Sequence, residues 1–264
     1  MSIKIPNAFM GKPVKGSIER ALAAAQSPEE PATPPAPQSA PRQTTTVNDP
    51  QNYIVLPART HGTYNYADTL VAMDRTHHNK NWNDSHKLLA DEGAYMPTIR
   101  QFVDFITLLK SGNAFDGRGN IVPKPKLDDI LDDILTVKSP WRSEWLDAQF
   151  ESHGGVIGIG SKMCMNYEHR VVNGVLTPQH PRKELNNYLT SNKTPGIDLD
   201  TWLANANEYG LPLANISSGD LYYWAPTNGR VARFGAYSDR AGLGCSGDPT
   251  GCGDGLGVRA CRAP

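Results

Sequence analysis

Three of the four cysteines crowd the C-terminal end, at 245, 252 and 261, with the fourth at 164. Thiols this close together can hold a metal, pair as a disulfide or serve as nucleophiles. Gaps of six and eight residues match no zinc pattern, and no secretion signal accompanies them, so free thiols are expected. Gly242-Leu-Gly-Cys-Ser-Gly247 fits the spacing of a dinucleotide-binding turn. Such a turn needs a strand before it and a helix after it, whereas Asp248-Pro249 follows here. Gly155-Val-Ile-Gly-Ile-Gly-Ser-Lys162 misses a phosphate-binding loop because its Ser and Lys stand in reversed order. His77, His78 and His86, with Asp74 and Asp84 nearby, read as a solvated loop rather than a metal site, because adjacent histidines diverge on any regular element. Asp128, Asp129, Asp132 and Asp133 lack the calcium-loop pattern and read as a solvated helix face. No G-x-S-x-G occurs. No catalytic residue, metal ligand or cofactor is therefore assigned.

The elements that would position such residues divide the chain in three. Residues 1–26 form a leader with a short helical stretch, Ile18–Ala25, which would suit a tether to a partner. Residues 27–50 are rich in Pro, Ala, Gln, Ser and Thr and read as a linker, since they hold too little apolar surface to offset the entropy of ordering. Residues 51–264 form the globular part, long enough to bury a core. Helices are expected at 82–93, capped at Asn83 or Asp84, at 98–110, opened by Pro97 and stopped by Gly112, at 127–137, and at 198–210, closed by Gly210. Asn173-Gly174 and Asn228-Gly229 each predict a two-residue hairpin. The fold class is α+β, with helices concentrated at 80–137 and strands from 144 onward. Tyr222, Tyr223 and Trp224 read as core packing of a strand.

A net charge of −1 argues against nucleic acid as a partner. No apolar run reaches the ~20 residues of a membrane span, so no membrane insertion is expected. Without a signal peptide the expected location is cytoplasmic, unless the protein is carried on a virion or displayed at a surface.

Glycine recurs at 235, 242, 244, 247, 251, 253 and 255, far too densely for an ordinary strand. Around these positions runs a frame of Val231-Ala-Arg-Phe234, Ser238, Asp248-Pro249 and Leu256-Gly-Val-Arg259. The segment at about 230–260 resembles the variable region of target proteins diversified by diversity-generating retroelements, as in archaeal, archaeal-virus and small-genome bacterial sequences. In that family an error-prone reverse transcriptase rewrites template adenines. An AAC codon then yields Gly, Cys, Tyr, Asp or Ser, the residues that crowd 235–255. Asn81–His86, 102–112, Asp132–Val137 and Trp141–Asp147 resemble the upstream part of the same targets.

The resemblance implies a C-type-lectin-like fold, shared with formylglycine-generating enzymes, and binding of a protein or cell-surface ligand without catalysis. It implies a variable binding surface of Gly235, Tyr237, Asp239, Arg240, Gly242, Gly244, Ser246, Gly247, Gly251, Cys252, Gly253, Asp254 and Gly255. Tyr237 would anchor the ligand, Asp239 and Arg240 would make charged contacts, and Asp254 would accept. Trp224, Arg233, Phe234, Gly257, Val258 and Arg259 would form the fixed scaffold, both arginines holding carbonyls or carboxylates beneath the surface. The alternatives are a formylglycine-type enzyme using Cys245 and Cys252, or a structural module of a virion or surface.

Overall fold

In the computed structural model, residues 8–9, 12–13, 49–154 and 160–264 are described. The linker up to residue 48, the helical stretch at 18–25 and most of the glycine-rich 155–160 segment lie outside them. Two units separate at Thr44/Thr45. In the first, Ala8–Phe9 pairs antiparallel with Lys12–Pro13. All that follows concerns the second.

It opens with strands the sequence reading missed: β1 (Tyr53–Leu56), β2 (Arg59–His61), β3 (Tyr64–Tyr66) and β4 (Thr69–Thr76). Three helices follow: α1 (Trp82–Asp91), α2 (Ile99–Ser111) and α3 (Lys124–Leu135). Next come β5 (Arg142–His153), β6 (Lys162–Asn166), β7 (His169–Val172), β8 (Val175–Pro178), β9 (Lys183–Glu184) and β10 (Lys193–Ile197). The chain ends with α4 (Leu199–Asn205), β11 (Leu221–Trp224), β12 (Arg230–Ala236), β13 (Ala241–Gly247) and β14 (Leu256–Arg262). The α+β class holds, with a mixed ten-stranded sheet and most helices in the N-terminal half.

Helix ends follow local chemistry. Thr98 caps α2 through a reciprocal capping box with Gln101, and Gly112 closes it at φ 70°, where a side chain would be strained. The α1 cap is Asn81, two or three residues earlier than the sequence reading placed it, because its side chain accepts from Asp84 N–H. Helix α4 stops at Asn205, short of Gly210. Beyond it, the Asn207 side chain accepts from the Tyr209 and Leu211 amides and holds a turn instead.

The main sheet runs β10-β11-β13-β12-β5-β14-β4-β1, with β6 on the far end of β5 and β9 on β6. One hairpin forms as expected: β7 and β8 turn at Asn173 (φ 51°) and Gly174 (φ 79°). The second does not. Strand β13 lies between β11 and β12, parallel to one and antiparallel to the other. The Asn228-Gly229 turn instead ties to β5, Gly229 N–H donating to the Phe150 carbonyl and Asn228 Oδ1 accepting from Ser152 N–H.

The core fills both faces of the sheet. On one, α2 and α4 bury Phe102 and Trp202 against Phe234 of β12, together with Leu243 and Cys245 of β13 and Tyr223 of β11. On the other, Trp82 and Leu89 of α1 pack with Trp145, Val231 and Val258. Arg259 is fully buried. Its guanidinium donates to both Glu144 carboxylate oxygens (3.0 and 3.3 Å) and to the carbonyls of Ala72 and Met73. Every polar atom of the pair has a partner, which makes so deep a charge tolerable.

Candidate functional site

Alternation along β11, β13 and β12 decides what the open face displays. Leu221 and Tyr223, Leu243 and Cys245, and Ala232 and Phe234 point into the core. The intervening residues are therefore presented on the opposite face. Register aligns them in two rows across the strands: Tyr222, Gly242, Gly235 and Ser143, then Trp224, Gly244, Arg233 and Trp145. Glycines thus floor a trough between an aromatic side and an arginine side.

The β12–β13 connection closes one end. Tyr237 N–H donates to the Arg240 carbonyl (2.7 Å), and the Tyr237 ring folds over Gly235 and stacks on Trp141 with centroids 5.7 Å apart. The Arg240 guanidinium lies 5.4 Å from the Tyr237 ring, 5.8 Å from Trp224 and 5.9 Å from Tyr222, within cation–π range of all three. Asp239 pairs with it at 2.7 Å. The result is a cleft of about 270 Å³ lined by Trp224, Arg233, Gly235, Tyr237, Arg240, Gly242, Gly244 and Ser246.

Six of the thirteen residues expected at a binding surface therefore come together: Gly235, Tyr237, Arg240, Gly242, Gly244 and Ser246. Asp239 stands at the rim. Gly251, Cys252, Gly253 and Asp254 lie on the 248–255 loop beside Trp141, outside the cleft lining.

The glycines are not equivalent. None from 235 to 257 has positive φ. At Gly244 an added Cβ would meet only Arg233 and Trp224, at 3.8–3.9 Å. At Gly253 and Gly235 it would meet the rings of Trp141 (3.0 Å) and Tyr237 (2.8 Å). At Gly242 and Gly255, however, it would lie 2.1 and 2.3 Å from the carbonyl oxygens of Tyr222 and Trp141. Gly247 is pressed at 2.9 Å against the Val231 carbonyl, and Gly257 likewise against that of Thr76. At 242, 247 and 255 the expected freedom to vary gives way to backbone contact.

Two scaffold assignments also change. Arg233 holds no carbonyl or carboxylate among the described residues and faces the cleft, unlike Arg259. Trp224 and Tyr222 are half-buried on the open face, stacked 5.8 Å apart, and only Tyr223 is core. Sequence reasoning missed this wall, although period-two alternation within Leu221–Trp224 carried the signal.

The thiols point away from chemistry at this face. Cys245 is fully buried and turned to the core, where desolvation holds its pKa far above the usual thiol value, and Cys252 is exposed on the loop. The Gly242–Gly247 run is strand β13, with no helix after it.

The histidines separate. His77 sits at φ 50° with Nε2 3.1 Å from Glu92. His86 is no loop residue. It lies on α1, buried beside Asp147 of β5 and His169 of β7, and desolvation lowers its pKa to about 4. In comparisons with known proteins, no family model, curated protein or solved structure matches this chain.

Proposed function

We propose that this chain is a non-catalytic binding protein whose open sheet face is diversified by a retroelement, carried on a C-type-lectin-type fold. One observation carries the reading. Residue types expected from randomised Asn codons occupy Gly235, Tyr237, Gly244 and Ser246 around one cleft, while Phe234 and Leu243 between them face the core. Folding alone does not call for glycine at Gly244, where a side chain has room.

The cleft volume of about 270 Å³ falls just under the roughly 300–1,000 Å³ of small-molecule sites. That size suits one protruding side chain or sugar-sized group of a protein or cell-surface ligand. Aromatic faces at Trp224 and Tyr237 and the Arg233 guanidinium, which has no partner among the described residues, favour a planar or anionic group. The formylglycine-type alternative is disfavoured because one candidate thiol, Cys245, is buried in the core and the other, Cys252, is exposed on a loop.

The test is the surrounding DNA. A near-copy of the segment encoding 230–260, differing at template adenines and adjoining a reverse-transcriptase gene, is expected. A locus without the repeat, or with mismatches spread over all four bases, defeats the reading.

A further inference from the structure

Away from the open face, three elements bring metal-ligating side chains together in the interior. His86 comes from α1, Asp147 from the middle of β5 and His169 from the start of β7. Each offers one ligand atom, and the three atoms lie within 4.8 Å of one another. His86 Nε2 is 3.7 Å from Asp147 Oδ1, and His169 Nδ1 is 2.5 Å from the same oxygen. Asp147 Oδ2 accepts the His169 backbone N–H at 2.8 Å, which fixes the carboxylate. His86 and His169 are 3% exposed and Asp147 0%.

Hydrogen bonding does not complete this cluster. Nε2 of His86 and Nε2 of His169 are both buried without a partner among the described residues. The neighbouring indole cannot supply one. Trp82 packs edge-on against both imidazoles, at 4.3 and 5.0 Å, while its N–H is committed to the Leu146 carbonyl. A structural hydrogen-bond network would be expected to satisfy its ring nitrogens, since buried polar atoms rarely go unpaired. Two imidazoles and a carboxylate, with His86 Nε2 left unpartnered 3.7 Å from Asp147 Oδ1, are instead the donor set of a divalent ion. Nitrogen with a single oxygen suits zinc-class metals better than magnesium or calcium, which favour oxygen alone.

We propose that His86, Asp147 and His169 bind a divalent transition-metal ion of the zinc class, at a structural site that fastens α1 and the β7–β8 hairpin to β5. The proposal is independent of the binding reading, because the site lies in the interior and uses none of the cleft residues. Asp147 would serve as ligand to the ion while its second oxygen stays on the His169 amide, and Trp82 would shield the ion from water. The sequence expectation of no metal grouped His86 with His77, His78, Asp74 and Asp84 as a solvated loop, whereas the cluster joins His86 to Asp147 and His169 instead. His169, 83 residues downstream of His86, gave no local spacing to read.

The test uses the full chain, stripped with a chelator and titrated with Co²⁺ and Zn²⁺. One equivalent per chain is expected to bind, with a visible Co²⁺ ligand-field band and a higher melting temperature that chelation reverses. His86→Gln and His169→Gln should each lose the band and the metal-dependent shift, while His180→Gln on the exposed surface should keep both. A wild-type protein that binds neither ion, or whose binding survives both substitutions, overturns the site. Should the glutamine variants fail to fold, X-ray absorption of the zinc-loaded wild type decides. Imidazole scattering is expected, and a sulfur or all-oxygen shell overturns the proposal.

Discussion

Alanine at Gly242 and alanine at Gly244 should part company sharply, although the two glycines sit on the same strand and face the same cleft. Neither has positive φ, so backbone strain does not separate them. Space does. A Cβ at Gly242 would meet three backbone atoms of Tyr222, its O at 2.1 Å, C at 2.7 Å and N at 2.9 Å. These belong to β11, paired parallel to β13, so relief requires prising the two strands apart. Overpacking a close-fitted site costs roughly 1–3 kcal/mol, and a clash with backbone belongs at the upper end. At Gly244 the nearest atoms stand at 3.8–3.9 Å, ordinary van der Waals separation. There the reduced freedom of the unfolded chain should contribute about 0.4–1 kcal/mol in favour of alanine. The two variants should thus differ by about 3 kcal/mol, a gap on the order of 10 °C for a domain of this size. Thermal unfolding at matched pH, followed by circular dichroism or calorimetry, measures it. Gly242→Ala melting with the wild type, or Gly244→Ala falling as far, would refute the steric reasoning and the division of the face it supports.

Other consequences are as direct. Phe234→Ala should cost about 3–5 kcal/mol in unfolding experiments, because it empties the space between Phe102 and Trp202. Arg259→Ala should cost about 3–5 kcal/mol as well, since it leaves the buried Glu144 carboxylate and two carbonyls unpaired. Under native conditions a thiol reagent should modify Cys252 rapidly, with Cys164, Cys245 and Cys261 reacting only on unfolding. Burial both shields those three and raises their pKa, and fast labelling of Cys245, counted by mass spectrometry, would contradict its core placement.

The helical half was legible because its signals are local. Pro97-Thr98, the apolar spacing through Leu109 and Gly112 define α2 within one stretch of chain, and the structure moves its ends by a single residue. Strand β4 escaped notice because Thr69–Met73 is buried on both faces and shows no alternation. The Asn228-Gly229 turn misled because turn chemistry reports a reversal, not which strand comes to lie alongside. Here β13 inserts between the two arms. At the candidate site, residue type pointed to the segment whose residues line the cleft, but the distinction between Gly244 and Gly242 depends on how closely β11 approaches. The buried cluster was illegible for the same reason, since Asp147 and His169 meet His86 only through tertiary packing.

That the open face is a diversified binding surface is tested most directly by sequencing many alleles of this gene from one population across codons 230–260. Substitutions are expected to concentrate at Gly235, Tyr237, Asp239, Arg240, Gly244, Ser246 and 251–254, each tracing to an adenine of the template repeat. Phe234, Leu243, Val258 and Arg259, which face the core, should stay fixed. Substitutions scattered evenly through the segment, with core codons changing as often as those lining the cleft, would contradict it.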